Sequence, residues 1–350
     1  MATDRMEPED LVTIYECSAG NGDGADLLFD LNGRRIYVLF FPSPSSIQDS
    51  ALRDQCIEDS IIRRLSQAMR ANPEESEEIE YEVLDIVLDV GKAVLSELAP
   101  RNKTDFQPLP QDLHSLLYPS TLSFRLVTRE SEPLLVPIRP SEGYSFLEPT
   151  SDNFFIPSLE LEDSLSQYST RQLCVLETFL ISSGDMVARV SVDDKEMLCK
   201  AQRAPFSEVG REVESLQKIR TVWSPDQAPI RVPRILGYVK HPEVDCVVGF
   251  VREWIPGDCL GDIDIASTSE ERRRKWASQI SDAVHRLHEI DVIWGDGKAR
   301  NIIIDDHDDA WLIDFAGGYT MGWVEKDVAG TLEGDEQAVA KIKEFLGIEL

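Results

Sequence analysis

The sequence predicts an α+β fold, because strand-like and helix-like patterns occupy separate stretches of the chain. From about Ser169, short apolar runs with strand periodicity come first, and the helical periodicity is gathered afterwards. The 350 residues are 42% hydrophobic and 8% aromatic, which provides a proper core and excludes a globally disordered chain. This length fits two domains, or one large domain with an appendage.

Acidic residues dominate the charge. The chain has 64 Asp and Glu against 35 Lys and Arg, a net charge of −29 at neutral pH. Binding to nucleic acid needs clustered Lys and Arg, and an anionic membrane repels an acidic surface. We therefore expect neither a nucleic acid nor a membrane as a partner.

The sequence shows neither a targeting signal nor a cysteine motif. The N-terminus, MATDRME, lacks an apolar segment, and no run approaches the about 18 apolar residues of a membrane span. Six cysteines are scattered without C-x-x-C spacing, which is typical of reduced thiols in a cytosolic protein. These features predict a cytoplasmic location, and the nucleus is also compatible with them.

The N-terminal part is predicted to form a hairpin followed by two helices. Strand-like runs at Asp26–Leu31 and Arg35–Phe41 are joined by Asn32-Gly33, a strong hairpin signal. Helical spacing follows over 46–70 and 74–98. Glutamates at the start of the second helix suit its dipole, and a metal site in this cluster is the alternative.

The remaining chain is predicted to pass from a linker to a β-rich segment and then to the α+β region. The strands and helices predicted there are Leu122–Val127, Leu134–Ile138, Leu173–Ile181, Val187–Val192, Glu196–Ala201, Ser207–Ile219 (helix), Val247–Trp254 and Glu270–Ile290 (helix). A capping box at Thr268-x-x-Glu271 is predicted to begin the last helix. The predicted division is an α/β N-terminal extension at 1–112, a connecting segment at 113–168 and an α+β domain at 169–350.

The residues that point to chemistry form a D-x-K-x-x-N motif, Asp296-Gly-Lys298-Ala-Arg-Asn301. Two apolar strands joined by an acidic turn follow it, and the chain then reads Asp314-Phe-Ala-Gly. Phosphoryl transfer needs a carboxylate near the attacking hydroxyl, a cation on the phosphate and oxygen ligands for magnesium. Asp and Asn in loops usually serve turns, but all four groups at this spacing favour phosphoryl transfer.

This pattern resembles the protein-kinase-like superfamily, and its Trp-Gly-Asp opening is most similar to fungal protein-kinase-like proteins. The resemblance covers about residues 169–350. It implies a bilobal fold, with a small antiparallel-sheet N-lobe at 169–254 and a truncated helical C-lobe at 255–350. The C-lobe is expected to be minimal because few residues follow the D-x-K-x-x-N motif.

The resemblance also implies cofactors and roles at the first motif. ATP and Mg²⁺ are the implied cofactors. Asp296 and Lys298 are the implied catalytic residues, and Asn301 and Asp314 are the implied metal ligands.

Upstream residues match the nucleotide-binding half of the family. Lys200 ends a strand-like run, as the phosphate-binding lysine does, and Glu212 on the next helix matches its ion-pair partner. Lys195, Glu208 or Glu214 would replace them in an alternative register.

Four further residues complete the implied nucleotide site. Ser183 and Gly184 lie in the loop between the first two strands of the domain and are expected to contact phosphate. Glu253 and Trp254 resemble the hinge, whose backbone groups would bind adenine.

Several positions depart from the family pattern. The phosphate loop has one glycine, and Ala316 replaces the glycine after Asp-Phe, although Gly317 follows at once. Trp294-Gly295 replaces His-Arg, which removes the usual partner of a phosphorylated activation loop. We therefore expect that replacing Tyr319, Thr320 and Thr331 by Ala leaves activity unchanged.

The leading hypothesis is an ATP- and Mg²⁺-dependent phosphotransferase with a protein Ser/Thr hydroxyl as acceptor. One alternative is a catalytically weak pseudokinase that serves as a nucleotide-binding or scaffold module. The other is a small-molecule kinase of the aminoglycoside-phosphotransferase type, against which Lys298 argues. The expected partners are ATP, a protein or small-molecule acceptor, and a protein bound through the N-terminal extension.

Overall fold

The computed structural model describes residues 12–20, 24–42, 56–70, 72–100, 111–130, 132–139, 160–181, 185–203, 208–222 and 230–348. The chain divides into two compact units. The first comprises Met1–Leu109 and Tyr118–Glu148, and the second comprises Pro110–Leu117 and Pro149–Leu350. The three-part division by sequence stays a prediction.

The first unit is built on a five-stranded sheet. Its strands are β1 (Val12–Ala19), β2 (Ala25–Leu31), β3 (Arg34–Phe40), β4 (Thr121–Arg129) and β5 (Glu132–Pro137). They lie in chain order, and only β3 and β4 pair in parallel. The turn between β2 and β3 has positive φ at Asn32 (50°) and Gly33 (79°), as a tight hairpin turn requires. The predicted hairpin is confirmed, whereas β1 was not predicted.

Two helices, α1 (Ile57–Ala68) and α2 (Pro73–Leu98), connect β3 to β4 and thereby permit their parallel pairing. The side chain of Asn72 caps α2 by accepting the backbone N–H of Glu75 at 3.0 Å. The helix predicted over 74–98 is confirmed. Of the helix predicted over 46–70, residues 46–55 lie outside the described residues. The core between the sheet and these helices includes Leu27, Phe29, Ile36, Val38, Ile61, Leu65, Val83 and Val87.

The second unit contains the short helix α3 (Leu113–Leu117) and a six-stranded sheet. The strands are β6 (Ser166–Ser169), β7 (Cys174–Ile181), β8 (Asp185–Val192), β9 (Lys195–Gln202), β10 (Ile235–Lys240) and β11 (Val247–Glu253). Their order is β6-β10-β11-β9-β8-β7, antiparallel except for the β6–β10 pair. The helix α4 (Glu208–Val222) follows β9. Four strands and this helix were predicted, whereas β6 and β10 were not.

The rest of the second unit combines two helices with a three-stranded sheet. The helices are α5 (Glu270–His288) and α6 (Leu332–Phe345). The strands, in sheet order, are β12 (Gly257–Cys259), β13 (Ile302–Asp305) and β14 (Ala310–Leu312). Buried residues from α4, the six-stranded sheet, α5 and this small sheet form one continuous core, which includes Val213, Leu216, Tyr238, Phe250, Trp276, Ile280, Trp294 and Ile302.

Helix α5 begins with a different cap from the predicted one. Its N-cap is Ser269, whose side chain accepts the backbone N–H of Arg272. The Thr268 hydroxyl instead donates to the Asp264 carbonyl oxygen at 2.9 Å. The predicted capping box at Thr268-x-x-Glu271 is therefore wrong, because the helix begins one residue later and Thr268 lies before its N-cap.

The described residues thus form a mixed α+β fold with three sheets and six α-helices, as predicted at that level. None of the described helices combines the length and the apolar character that a membrane span requires.

Candidate active site

The D-x-K-x-x-N loop folds into a compact group of side chains around Asp296. Lys298 Nζ donates to Asp296 Oδ2 at 2.5 Å. Asn301 Nδ2 donates to the Asp296 carbonyl oxygen at 2.8 Å and to its Oδ2 at 3.2 Å. Asn301 ends a short 3₁₀ turn directly before β13, which holds its backbone in place. The structure therefore brings together three of the predicted site residues.

Strands β13 and β14 return the chain so that Asp314 comes beside this loop. Ile302 pairs with Leu312, and the Ile313 backbone N–H donates to the Asn301 carbonyl oxygen at 3.0 Å. Asp314 has a φ of 67°, a conformation that is uncommon for a residue other than glycine and that concentrates at functional sites. One short hairpin thus sets the spacing between the two motifs.

Lys200 connects Asp314 to helix α4. Its Nζ lies 2.6 Å from Glu212 Oε2 and 2.7 Å from Asp314 Oδ1. Burial lowers the pKa of Lys200, but the two carboxylates outweigh this effect and raise that pKa above its usual value. The ammonium group therefore stays charged. Lys195 and Glu214, which belong to the alternative register, are exposed.

Thr320 joins the group around Asp296. Its hydroxyl donates to Asp296 Oδ1 at 2.9 Å and accepts from Lys298 Nζ at 2.9 Å. No motif marks this residue in the sequence. Because the hydroxyl orients both side chains, this geometry favours an effect of replacing Thr320, and the expectation that it is dispensable stays a prediction.

Asp335 on α6 was also missed by the sequence analysis. Its side chain accepts the backbone N–H groups of Trp294 and Gly295, both at 2.8 Å, and lies 2.9 Å from His288 Nε2. Asp335 is 1% exposed, so these bonds are shielded from water. It is a positioning residue for the backbone that leads into Asp296. A single aspartate on an amphipathic helix has no sequence signal for such a role.

Two departures from the family pattern have structural explanations. The indole N–H of Trp294 donates to the Ile313 carbonyl oxygen at 2.9 Å, which ties the loop to the return strand. Gly317 has a φ of 81°, and a Cβ there would clash with the guanidinium of Arg211. The positive φ that favours glycine therefore occurs at Gly317 and not at Ala316.

The predicted hinge lies at and just beyond the end of β11. The Glu253 side chain accepts from Arg234 Nε at 2.7 Å, and this hydrogen bond raises the pKa of Arg234. The Trp254 ring stacks on Phe179, with centroids 5.5 Å apart and planes inclined by 10°. Glu253 is therefore held by the residue that precedes β10, and Trp254 by a ring on β7.

Three predicted positions cannot be placed in this site. Ser183 and Gly184 lie outside the described residues, and so does the side chain of Glu208. Their roles stay predictions.

A buried arginine shares a sheet face with Lys200. Arg252 lies opposite Leu198 in the β11–β9 pair, and Lys200 is two residues further along β9, hence on the same face. Arg252 is 5% exposed, and its Nη1 donates to the Glu253 carbonyl oxygen at 3.1 Å. Burial lowers the pKa of Arg252, an effect that nearby carboxylates, Glu212 foremost, oppose. The sequence analysis did not identify this cation.

Asn301 and Asp314 suit a hard divalent cation. Asn301 uses its amide nitrogen for both hydrogen bonds to Asp296, so its side-chain oxygen is the atom it can offer to a cation. The Asp314 side chain is 34% exposed, and Lys200 contacts one of its carboxylate oxygens. Oxygen donors of this kind fit Mg²⁺.

Comparison with known proteins finds short matches. No family model matches the chain. A segment of 102 residues, 28% of the chain, is 37% identical to 13% of Serine/threonine-protein kinase PKH1 from Saccharomyces cerevisiae. A segment of 88 residues, 22% of the chain, is 32% identical to 18% of Putative sperm motility kinase W from Mus musculus. The chain thus matches less than a fifth of the length of either relative, and part of it is similar to serine/threonine protein kinases.

Proposed function

We propose that the chain is an ATP- and Mg²⁺-dependent phosphotransferase that transfers the γ-phosphate to a Ser or Thr hydroxyl of a protein. One observation carries this proposal: Lys200 is ion-paired with both Glu212 and Asp314, beside a loop in which Lys298 contacts Asp296. The partial similarity to protein kinases supports it.

Each of these residues has a role in the proposed reaction. Asp296 accepts a hydrogen bond from the acceptor hydroxyl and takes its proton as the oxygen attacks the γ-phosphorus, while the bond from that phosphorus to the β,γ-bridging oxygen breaks and ADP leaves. Lys298 offers positive charge to the phosphate oxygens, and Thr320 keeps both side chains oriented. Lys200 binds the nucleotide phosphates, and Glu212 holds the ammonium group in position.

Asn301 and Asp314 are the residues that would hold magnesium. The cation supplies positive charge that neutralises the β- and γ-phosphates. Because Asp314 bonds to Lys200 in this structure, nucleotide binding would shift Lys200 from that carboxylate toward the phosphates.

The proposed architecture is bilobal. Strands β7 to β11 and α4 would form an N-lobe at 169–254, and α5, the small sheet and α6 would form a minimal C-lobe at 255–350. The first unit, which contains most of the N-terminal extension, would offer a surface to a protein partner.

The test uses the full chain with labelled ATP, Mg²⁺, a mixture of protein acceptors and an aminoglycoside. We expect transfer to protein that is lost in Asp296→Asn, while a thermal shift by ATP and Mg²⁺ is retained. Asp291→Asn is the matched control, since the Asp291 side chain is 95% exposed. Absence of any thermal shift at millimolar ATP would contradict the proposal. Transfer only to the aminoglycoside would indicate that the phosphate acceptor is a small molecule and not a protein.

A nucleotide-binding module without efficient catalysis is the second candidate function. Lys200 is bonded to Asp314, the residue that magnesium would need, and Arg252 adds a second buried cation. Two cations and the carboxylates of Glu212 and Asp314 balance each other without a metal ion. This candidate predicts a thermal shift with nucleotide and no transfer by the wild type.

A further inference from the structure

Arg252 occupies a position in the sheet that bears on nucleotide recognition. It precedes the proposed hinge residues Glu253 and Trp254, and it shares its sheet face with Lys200. The proposed phosphate ligand and the proposed base ligands therefore flank this side chain. A side chain at this place would contact the base of a nucleotide bound between Lys200 and the hinge.

The guanidinium of Arg252 is buried and incompletely bonded. Its Nη1 donates to the Glu253 carbonyl oxygen at 3.1 Å, but its Nε has no hydrogen-bond partner among the described residues. Within the same residues, Arg252 has no carboxylate close enough for an ion pair. A buried donor without an acceptor is costly, so a ligand that brings an acceptor gains free energy there.

The nearest rival acceptor is a side chain of the protein itself. Glu212 Oε1 is also buried without a hydrogen-bond partner among the described residues. Arg252 Nε and Glu212 Oε1 therefore do not bond to each other in this structure, and Lys200 Nζ already donates to Glu212 Oε2. If Glu212 rather than a base were the partner of Arg252, the arginine would stabilise the Lys200–Glu212 ion pair. Replacing Arg252 would then leave the relative affinity for different bases unchanged.

Purine bases differ in what they offer to a guanidinium. Adenine carries an amino group at position 6, which is a donor, whereas guanine carries a carbonyl oxygen there next to the N7 acceptor. A guanidinium only donates, which is why Arg pairs with guanine O6 and N7.

The hinge backbone strengthens this difference. An amino group at position 6 could only share the Glu253 carbonyl oxygen with Arg252, whereas a carbonyl oxygen there could accept from the guanidinium directly. The Glu253 backbone N–H donates to the Arg234 carbonyl oxygen at 2.9 Å, so it does not offer a donor to the N1 acceptor of adenine. Guanine and hypoxanthine carry a hydrogen on N1 and need no donor there.

We infer that Arg252 makes this site select 6-oxopurine nucleotides, such as GTP, over ATP. The inference rests on the proposed function, since it needs a nucleotide between Lys200 and the hinge, and it changes the preferred phosphate donor of that function from ATP to a 6-oxopurine nucleoside triphosphate. It names Arg252 as the specificity-determining residue and guanine or hypoxanthine as the base.

The experiment compares affinities of the full-length chain for ATP, GTP and ITP with Mg²⁺, by calorimetry. ITP has the carbonyl oxygen at position 6 but lacks the 2-amino group of guanine, so it isolates the contact with Arg252. We expect GTP and ITP to bind at least about tenfold more tightly than ATP. Arg252→Met should shift the GTP-to-ATP affinity ratio by about tenfold or more toward ATP.

Arg234→Met is the matched control, because it removes an arginine that contacts the same Glu253 through its side chain. Its GTP-to-ATP ratio should equal that of the wild type. Equal or stronger binding of ATP by the wild type overturns the inference, even where Arg252→Met fails to fold. An unchanged ratio in a folded Arg252→Met variant overturns it as well. Absence of binding of all three nucleotides overturns the proposed function and this inference together.

Discussion

The site consists of two groups of side chains that are built in different ways. The Asp296 cluster, made of Asp296, Lys298, Asn301 and Thr320, joins residues 2, 5 and 24 positions apart in the chain. The Lys200 cluster, made of Lys200, Glu212, Asp314 and Arg252, depends on contacts that span 12 and 114 positions. A local motif can be recognised in the sequence, whereas a set of charges assembled by a sheet and a helix cannot be recognised completely.

The two clusters also differ in how their carboxylates are satisfied. The Asp296 carboxylate accepts from Lys298, Asn301 and Thr320, so losing one donor leaves two others. Glu212 is 1% exposed, and among the described residues its carboxylate accepts a hydrogen bond only from Lys200. We therefore expect changes in the Asp296 cluster to affect mainly catalysis, and changes in the Lys200 cluster to affect folding and nucleotide binding together.

The largest expected effect is that of Asp296→Asn on phosphate transfer. Without the carboxylate, no general base remains at the acceptor hydroxyl, and the transfer rate should fall by about 10²–10⁴-fold. The free energy of unfolding should change little, because Asn keeps the size of the side chain and one oxygen acceptor. Transfer kinetics and urea denaturation of the same preparation measure both quantities. A large loss of stability would remove the contrast between the clusters.

Lys200→Met should have the next largest effect, this time on stability. It leaves the Glu212 carboxylate buried without its cation, and breaking a buried pair in this way costs about 3–5 kcal/mol. Lys298→Met is the matched comparison and should cost about 1 kcal/mol, because Asp296 keeps its bonds from Thr320 and Asn301. Urea denaturation of the two variants measures the difference. Equal destabilisation by both would show that burial of Glu212 does not distinguish the clusters.

Asp335→Asn tests whether the Asp335 side chain positions the backbone that leads into the Asp296 cluster. Asn has one acceptor oxygen for the two backbone N–H groups of Trp294 and Gly295, so one buried donor loses its acceptor. We expect a loss of about 1.5–3 kcal/mol in the free energy of unfolding, together with slower transfer at unchanged nucleotide affinity. Asp291→Asn on the exposed surface is the control. Weaker nucleotide binding with an unchanged transfer rate would instead indicate that Asp335 supports the Lys200 cluster.

Thr320→Ala should have the smallest of these effects. Loss of the hydroxyl's hydrogen bond to the Asp296 carboxylate, about 1.5 kcal/mol, should slow transfer by about tenfold. Thr320→Ser keeps the hydroxyl and should restore the rate, whereas Tyr319→Phe, on a side chain that is 47% exposed, should change nothing. Tyr319 is thus still predicted to be dispensable, whereas the geometry favours an effect at Thr320. A Ser variant as slow as the Ala variant would argue against a role for the hydroxyl.

Much of the local structure could be predicted from the sequence. Alternating apolar residues located strands such as β8 and β9 to within two residues at either end. The Asn32-Gly33 pair predicted a hairpin, because few residues other than Asn and Gly adopt positive φ without strain. The capping box at Thr268 was wrong because two adjacent residues, Thr268 and Ser269, both suit an N-cap, and the helix begins after Ser269.

The amino-acid sequence alone is enough to predict the α+β class, most strands and helices, and the residues of the D-x-K-x-x-N loop. These features depend on periodicity and on contacts between near neighbours in the chain, so short windows contain them. The folded chain was needed to show that Lys200 rather than Lys195 contacts Glu212, and that Asp335, Thr320 and Arg252 lie close to the predicted residues. Because these contacts join segments that are distant in the chain, no spacing pattern in the sequence predicts them.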